Sequence, residues 1–211
     1  MKIIEKGDRI LLISPHPDDV EFGCGGTIYQ FRQDITTKLL VLSNRFRTRG
    51  ETENEKEQKS AASILGINDI QFENFPIRFF SSSENRDKIR LLVTKVCEEF
   101  KPDLIFIPAL NETMQDHSSL AEEVIRVIRN ISIIGYEVIK HNRYFRPNVF
   151  ITISKESLLK KIEAISCYKG QSSKSYFDKE IIESLAITRA SALGTKGYAE
   201  AFEIYNLVQK T

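Results

Sequence analysis

Residues 9–27 read RILLISPHPDDVEFGCGGT, and this stretch determines the predicted fold. The run Arg9–Ile13 is almost wholly apolar, which is typical of a buried strand. One imidazole and two carboxylates follow it within four residues, at His16, Asp18 and Asp19. In an open α/β sheet the functional crevice lies just beyond the carboxyl ends of the strands. The stretch therefore predicts a site at the end of the first strand.

The rest of the chain alternates predicted strands with predicted helices. Strand patterns occur at 37–43, 69–72, 104–107 and 149–153, and helical patterns at 25–32, 51–65, 84–100, 117–131, 155–168 and 178–193. We interpret the glycines just before residue 27 as a turn that opens the first helix. Such alternation predicts a parallel sheet with helices on both faces. No repeat or linker interrupts it, so we expect one domain over residues 1–211.

Charge, cysteine content and hydropathy limit the expected partners and compartment. Lys plus Arg is 30 and Asp plus Glu is 29, so the charge balance gives no reason to expect a nucleic-acid ligand. The three cysteines are widely spaced and form no CxxC pair, which indicates free thiols in a reducing compartment. We recognise no signal peptide and no apolar run long enough to span a membrane. We therefore expect a cytoplasmic protein, and the sequence leaves a homo-oligomer open.

The residue types after the first strand suit metal chemistry. A neutral imidazole and a carboxylate are good ligands for zinc or another borderline divalent ion. A second carboxylate that stays off the metal can act as a base toward water. The alternative interpretation is structural, because two consecutive acids before a helix often serve only as a cap and its dipole-favoured neighbour.

The other two histidines have different surroundings. His117 follows the predicted strand 104–107, so it lies on the same rim of the sheet as His16 and offers a third ligand. Its structural alternative is a residue in the first turn of a helix, with Asp116 as the cap. His141 lies in a basic stretch away from any strand end, and we predict that it is an exposed surface residue.

These motifs resemble a known family. The segment His16–Glu21, the glycines that follow it and the later Gln115–His117 resemble the LmbE-like or PIG-L-like zinc-dependent N-acetylglucosaminyl deacetylases. Further similarity is seen at 101–106, at 147–150 with 153–154, at 161–171 and at Tyr198–Phe202, so the resemblance covers most of the chain.

The resemblance implies a fold, a cofactor and a reaction. The implied fold is a Rossmann-like three-layer sandwich with a mostly parallel sheet. One Zn²⁺ per chain is implied at His16, Asp19 and His117, with Asp18 as the general base toward the attacking water. The implied reaction removes the acetyl group from an N-acetylated amino sugar or its conjugate and releases acetate. The expected partner is thus a small acetylated sugar molecule.

Three positions depart from the family pattern. Met114 stands where many members have a histidine that assists catalysis, and a thioether cannot donate a proton. Asn54 stands where many have a substrate-binding arginine, and Ile77 where several have an acid. The basic loop Arg45–Arg49 lies close to the position of the missing arginine. We therefore predict Arg49, together with Arg78, as substrate-binding residues.

Two other functional hypotheses compete with this one. A metal-binding family member that has lost catalysis and acts as a binding or regulatory subunit is supported by Met114. The presence of Asp18, which is not needed to hold a metal, argues against it. A dinucleotide-dependent oxidoreductase is disfavoured, because Gly23–Gly26 lacks the GxGxxG spacing and no acid ends the second strand.

Overall fold

A computed structural model describes residues 2–43 and 51–209. The strands are β1 (Arg9–Ser14), β2 (Thr36–Val41), β3 (Asp69–Phe72), β4 (Leu104–Pro108), β5 (Ser132–Tyr136), β6 (Val149–Ile153) and β7 (Tyr198–Asn206). The helices are α1 (Asp19–Phe31), α2 (Glu51–Leu65), α3 (Ser83–Phe100), α4 (Gln115–Val127), α5 (Lys155–Ile165) and α6 (Lys179–Ser191). Within the described ranges, no helix combines the length and apolar character that crossing a lipid bilayer requires.

The strands form one mixed sheet in the order β3-β2-β1-β4-β5-β7-β6. Strands β1 to β5 run parallel to one another, whereas β7 runs antiparallel to both β5 and β6. Helical connections between parallel strands place helices on both faces of such a sheet. The predicted α/β class, a Rossmann-like sandwich with a mostly parallel sheet, is confirmed.

Strand β1 lies in the middle of the sheet and is buried on both faces. Ile10 and Leu12 pack with side chains of α1 and α2, whereas Leu11 and Ile13 pack with side chains of α3 and α4. Residues that alternate along a strand point to opposite faces of the sheet. A strand covered on both faces needs apolar residues at every position, which explains the unbroken apolar run in the sequence.

The first helix differs from its prediction. Helix α1 begins at Asp19, so the glycines lie inside the helix and do not form a turn before it. A Cβ added to Gly23 would lie 2.2 Å from Cδ2 of Tyr136, and one added to Gly26 would lie 2.6 Å from Cδ1 of Ile153. These glycines therefore serve the close approach of α1 to the sheet, which a sequence pattern does not distinguish from a turn.

Two strands were not predicted, namely β5 and β7. Strand β7 carries Glu200, which is buried in the fold. A charged residue at a buried position interrupts the apolar pattern by which a strand is predicted. The Glu200 carboxylate accepts hydrogen bonds from the backbone N–H groups of Gly26 at 3.0 Å and Thr27 at 2.6 Å. The Lys161 ammonium lies 2.5 Å from the same carboxylate and also donates to the carbonyl of Phe22 at 2.6 Å. This ion pair joins α1, α5 and β7.

A glycine comparison tests the packing of α1. We expect Gly23→Ala to lower the free energy of unfolding by about 1–3 kcal/mol, because its methyl group overpacks against Tyr136. Gly25→Ala is the matched control, because its Cβ would lie 3.4 Å from the nearest side-chain atom of Leu65. In this variant the gain in helix propensity, up to about 1 kcal/mol, leaves stability equal or higher. Urea unfolding measures both, and equal destabilisation would contradict the proposed contact.

Candidate metal centre and active site

Three buried side chains meet beyond the carboxyl ends of β1 and β4, which are parallel neighbours. His16 lies in the loop after β1, Asp19 is the first residue of α1, and His117 lies in the first turn of α4. One ligand atom from each of the three lies within 4.8 Å of the others. The structure thus brings together the three residues for which the resemblance implied a metal.

Two further carboxylates orient the imidazoles. Nε2 of His16 lies 3.0 Å from Oδ2 of Asp116, and Nδ1 of His117 lies 2.5 Å from Oε2 of Glu112. Each carboxylate accepts a hydrogen bond from the ring N–H that faces it. These bonds place the proton on Nε2 of His16 and on Nδ1 of His117. The remaining ring nitrogens, Nδ1 of His16 and Nε2 of His117, lie 3.4 and 3.2 Å from Oδ2 of Asp19. Such outer carboxylates are typical of histidines that bind metal.

The inner atoms fit a divalent cation. Oδ1 of Asp19 and Nε2 of His117 are buried and form no hydrogen bond within the described part of the chain. Burial lowers the pKa of His117, but the charges of Asp19 and Glu112 outweigh burial and raise that pKa to about 10. The surroundings therefore favour positive charge at this point. Two imidazoles and one carboxylate are also the protein ligands of many catalytic zinc sites.

The orienting carboxylates are themselves held by backbone groups. Oδ2 of Asp116 accepts from the N–H of Arg78 at 2.8 Å, and its Oδ1 accepts from that of Phe80 at 3.3 Å. Oε1 of Glu112 accepts from the N–H of Val138 at 3.1 Å. Neither orienting role was predicted from the sequence. Acids close to His117 were visible in the sequence, but nothing there indicated that Asp116 pairs with a histidine 100 residues away.

Asp18 is neither a simple helix cap nor part of the metal cluster. It precedes α1 with a left-handed backbone, φ 86°, and its side chain forms no capping hydrogen bond. Its Oδ2 is buried and has no hydrogen-bond partner among the described residues. Burial raises the pKa of Asp18 to about 6, although the Lys140 ammonium favours the charged form. Asp18 is thus a carboxylate at neutral pH and free to accept a proton.

A cavity of about 390 Å³ opens beside Asp18. It is the space in which a small substrate would meet the cluster. Its walls are formed by His16, Asp18, Ile77, Arg78, Met114, Lys140, His141, Gln171, Lys174 and Tyr176.

The prediction for His141 was wrong, because this residue is a half-buried wall of the cavity and not a surface residue. Its ring centroid lies 5.2 Å from that of His117. The turn after β5 brings it there, since the His141 carbonyl accepts from the N–H of Thr113 at 3.1 Å. Burial, His117 and Lys140 lower the pKa of His141 to about 4, which keeps its ring neutral at physiological pH.

The positions considered for substrate binding differ in their distance from the cavity. Arg78 is exposed at the cavity wall, next to Ile77. Asn54 is buried on α2 and does not line the cavity. The basic loop Arg45–Arg49, with the candidate Arg49, lies outside the described residues.

With this geometry established, comparison with known proteins assigns the family. Residues 11–128 match the family model described as PIG-L: GlcNAc-PI de-N-acetylase. The chain belongs to the PIG-L family. The resemblance seen in the sequence motifs is confirmed, and the matched segment spans β1 to α4, which carry the whole histidine and carboxylate cluster.

Two curated relatives of this PIG-L protein are named as deacetylases. The uncharacterized deacetylase YaiS of Escherichia coli (strain K12) is 26% identical over 172 residues, which cover 78% of this chain and 92% of the relative. The probable N-acetyl-alpha-D-glucosaminyl L-malate deacetylase 2 of Bacillus anthracis is 28% identical over 189 residues, covering 79% and 83%. This PIG-L protein is accordingly a hydrolase of the deacetylase type, acting on an amide bond.

A solved structure shows the same fold. The conserved protein TT1542 from Thermus thermophilus superposes with a TM-score of 0.80 and covers 96% of each chain. The two sequences are 24% identical, so this likeness supports the α/β sandwich and not a particular substrate.

Removal of an orienting carboxylate tests the metal centre. We expect Asp116→Ala and Glu112→Ala to weaken Zn²⁺ affinity by about 10–100-fold, because each leaves a ligand imidazole unoriented. His117→Ala removes a ligand and should lower affinity further. Glu122→Ala, at an exposed position on the same helix, is the control. Competition with a chromophoric chelator measures the affinities, and wild-type affinity in His117→Ala would remove this residue from the site.

Proposed function

We propose that this PIG-L deacetylase is zinc-dependent and removes the acetyl group from the nitrogen of an N-acetylated amino sugar or its conjugate. The observation that carries the proposal is the buried cluster of His16, Asp19 and His117. Beside it lies the Asp18 carboxylate, whose Oδ2 has no hydrogen-bond partner among the described residues. Family membership supports hydrolysis of an amide. The relative named as an N-acetylglucosaminyl malate deacetylase supports a sugar conjugate as the substrate.

The reaction requires two proton transfers. An acetamide is a poor electrophile, and its nitrogen leaves only after it has been protonated. When bound, zinc supplies the Lewis acidity that makes water a nucleophile at neutral pH. Asp18 accepts the proton of the attacking water and then delivers it to the leaving nitrogen. The C–N bond breaks to give the amine and acetic acid, and the acid loses its proton to the amine or to solvent to become acetate.

The surroundings of Asp18 are compatible with its role as the general base. Asp18 lines the cavity, and burial keeps the pKa of its carboxyl close to the working pH. A base whose pKa lies near neutrality combines the correct protonation state with an adequate driving force for proton transfer. The neighbouring Asp19 behaves differently, because the imidazoles of His117 and His16 overcome burial and hold its pKa well below the usual range.

Asp18→Asn separates the roles of the two acids. The amide has nearly the same shape but accepts no proton, so we expect metal content to stay at the wild-type level. We expect kcat to fall by about 10²–10⁴-fold, the usual contribution of general acid–base catalysis. Full activity in this variant would show that another group is the base, and loss of metal would make Asp18 a ligand.

The pH profile gives a second signature of Asp18. Because the base must be ionised, wild-type kcat/KM should fall with decreasing pH through an apparent pKa at or below about 6. A bound cation lowers the pKa of a nearby carboxyl, so the limb lies on the acid side of this value. Any residual activity of Asp18→Asn should lack the limb.

The alternative is a family member that binds metal without catalysis. Met114 favours it, because a thioether in the cavity wall neither carries charge nor donates a proton. Acetate release from a panel of N-acetylated sugars and sugar nucleotides, by zinc-loaded protein, distinguishes the two. Stoichiometric metal without any acetate release would establish the alternative.

The substrate is proposed to carry an anionic group. The described wall of the cavity carries three cationic side chains, Arg78, Lys140 and Lys174, and one carboxylate, that of Asp18. Arginine binds phosphate and carboxylate groups through paired N–H donors. We retain Arg49 as a second candidate on the sequence argument alone.

Arg78→Ala tests the anionic group, because it removes the guanidinium and keeps the backbone N–H that Asp116 accepts. We expect KM for an N-acetylglucosamine that carries phosphate or carboxylate to rise by about tenfold, the loss of one charge-assisted hydrogen bond. KM for plain N-acetylglucosamine should change little. Arg143→Ala, at an exposed position off the cavity wall, is the control. Equal effects of Arg78→Ala on both substrates would contradict an anion contact.

A further inference from the structure

His141 lies inside the site but has no role in the mechanism described so far. It shares the cavity wall with His16 and Asp18, and its ring meets that of His117 edge to face, at an interplanar angle of 72°. Within residues 2–43 and 51–209, neither of its ring nitrogens hydrogen-bonds to another protein group. The imidazole is therefore available to a molecule bound in the cavity.

Amide hydrolysis needs a hydrogen-bond donor at this place. As water adds, the acetyl oxygen gains negative charge, and a donor already aimed at that oxygen lowers the barrier. Met114 lines the same cavity, and its thioether has no proton to give. A neutral imidazole, in contrast, always carries one N–H.

Hydrogen bonds hold the backbone that carries the His141 ring. The N–H of His141 donates to the carbonyl of Val138 at 2.9 Å, and its carbonyl accepts from Thr113. The next residue, Asn142, donates to Glu137, whose other carboxylate oxygen accepts from Nε of Arg189 at 2.9 Å. Both ends of the turn are thus attached to other elements. A donor held in this way loses little freedom when it acts.

The two lysines of the cavity wall have partners of their own. The Lys140 ammonium lies over the ring of Tyr176, 4.9 Å from its centroid, and interacts with the charge of Asp18. Lys174 donates to Oε1 of Gln171 at 2.6 Å. His141, in contrast, contacts the ring of the cluster histidine His117.

We propose that His141 donates its ring N–H to the acetyl oxygen of the substrate as this oxygen becomes anionic, and so supplies the donor that Met114 does not. This proposal rests on the deacetylase function proposed above. It makes His141 a catalytic residue that the sequence pattern alone did not indicate, since His141 and His117 come from different connections of the sheet.

Substitutions at His141 test the donor directly. His141→Leu removes the N–H, while His141→Asn and His141→Gln place an amide N–H near the former Nδ1 or Nε2. We expect His141→Leu to lower kcat by about 10²–10³-fold with little change in KM, as removal of an oxyanion donor does. The better of the two amide variants should recover at least about tenfold of that loss. Tyr144→Phe, at an exposed position in the same connection and off the cavity wall, is the control and should stay close to wild type.

Binding gives a readout that does not depend on turnover. A methylphosphonamidate analogue of the substrate is tetrahedral and anionic where the acetyl group would be. His141→Leu should weaken its binding by a factor similar to the loss in kcat. Binding of the uncleaved substrate, measured with Asp18→Asn as the background, should be unchanged. Zinc content should equal that of wild type in every variant.

The outcomes separate this proposal from the function on which it rests. Absence of acetate release by zinc-loaded wild type would overturn the proposed function and this proposal with it. Active wild type with undiminished kcat in His141→Leu would overturn the donor role alone. Loss of zinc in His141→Leu, or equal losses of kcat in the leucine and both amide variants, would show that the ring only supports His117 by packing.

Discussion

The site depends on the contacts of the buried Asp19 carboxylate. Its Oδ2 accepts from the N–H of His16 at 3.0 Å and faces an imidazole nitrogen of both His16 and His117. A fully buried carboxylate is costly unless other groups compensate its charge. Here the two imidazoles and the N-terminal end of α1 provide that compensation. Because these groups come from β1, α1 and α4, the carboxylate can be satisfied only when both halves of the parallel sheet have assembled.

The outer carboxylates extend the same constraint. His16 follows β1 but is oriented by Asp116 of α4, and Asp116 is in turn held by backbone groups after β3. His117 is oriented by Glu112, which also accepts from the N–H of Val138 just after β5. The strand order β3-β2-β1-β4-β5 brings these connections to one rim. The position of each metal-ligand candidate therefore depends on the order of the strands in the sheet.

Close packing fixes the remaining element, helix α1. Gly23 allows the helix to contact Tyr136 of β5, and the buried pair of Lys161 and Glu200 bonds to backbone groups in the middle of the helix. A buried ion pair of this kind contributes mainly when every polar atom of it has a partner. Here the lysine takes a carbonyl of α1 and the glutamate takes two of its N–H groups. The start of the helix, which carries Asp18 and Asp19, is thereby held against the sheet.

The sequence by itself determined the features that depend on neighbouring residues. The apolar runs of β1, β2 and β4, the periodic helices, and the proximity of His16, Asp18 and Asp19 to a strand end are local patterns, and the parallel sheet follows from their alternation. The tertiary structure decided what depends on distant residues. It made the glycines part of α1, added β5 and β7, and brought His141 into the cavity. It also paired Asp116 with His16. No local pattern encodes these outcomes, because they arise from close approach and charge compensation between segments that are far apart in the chain.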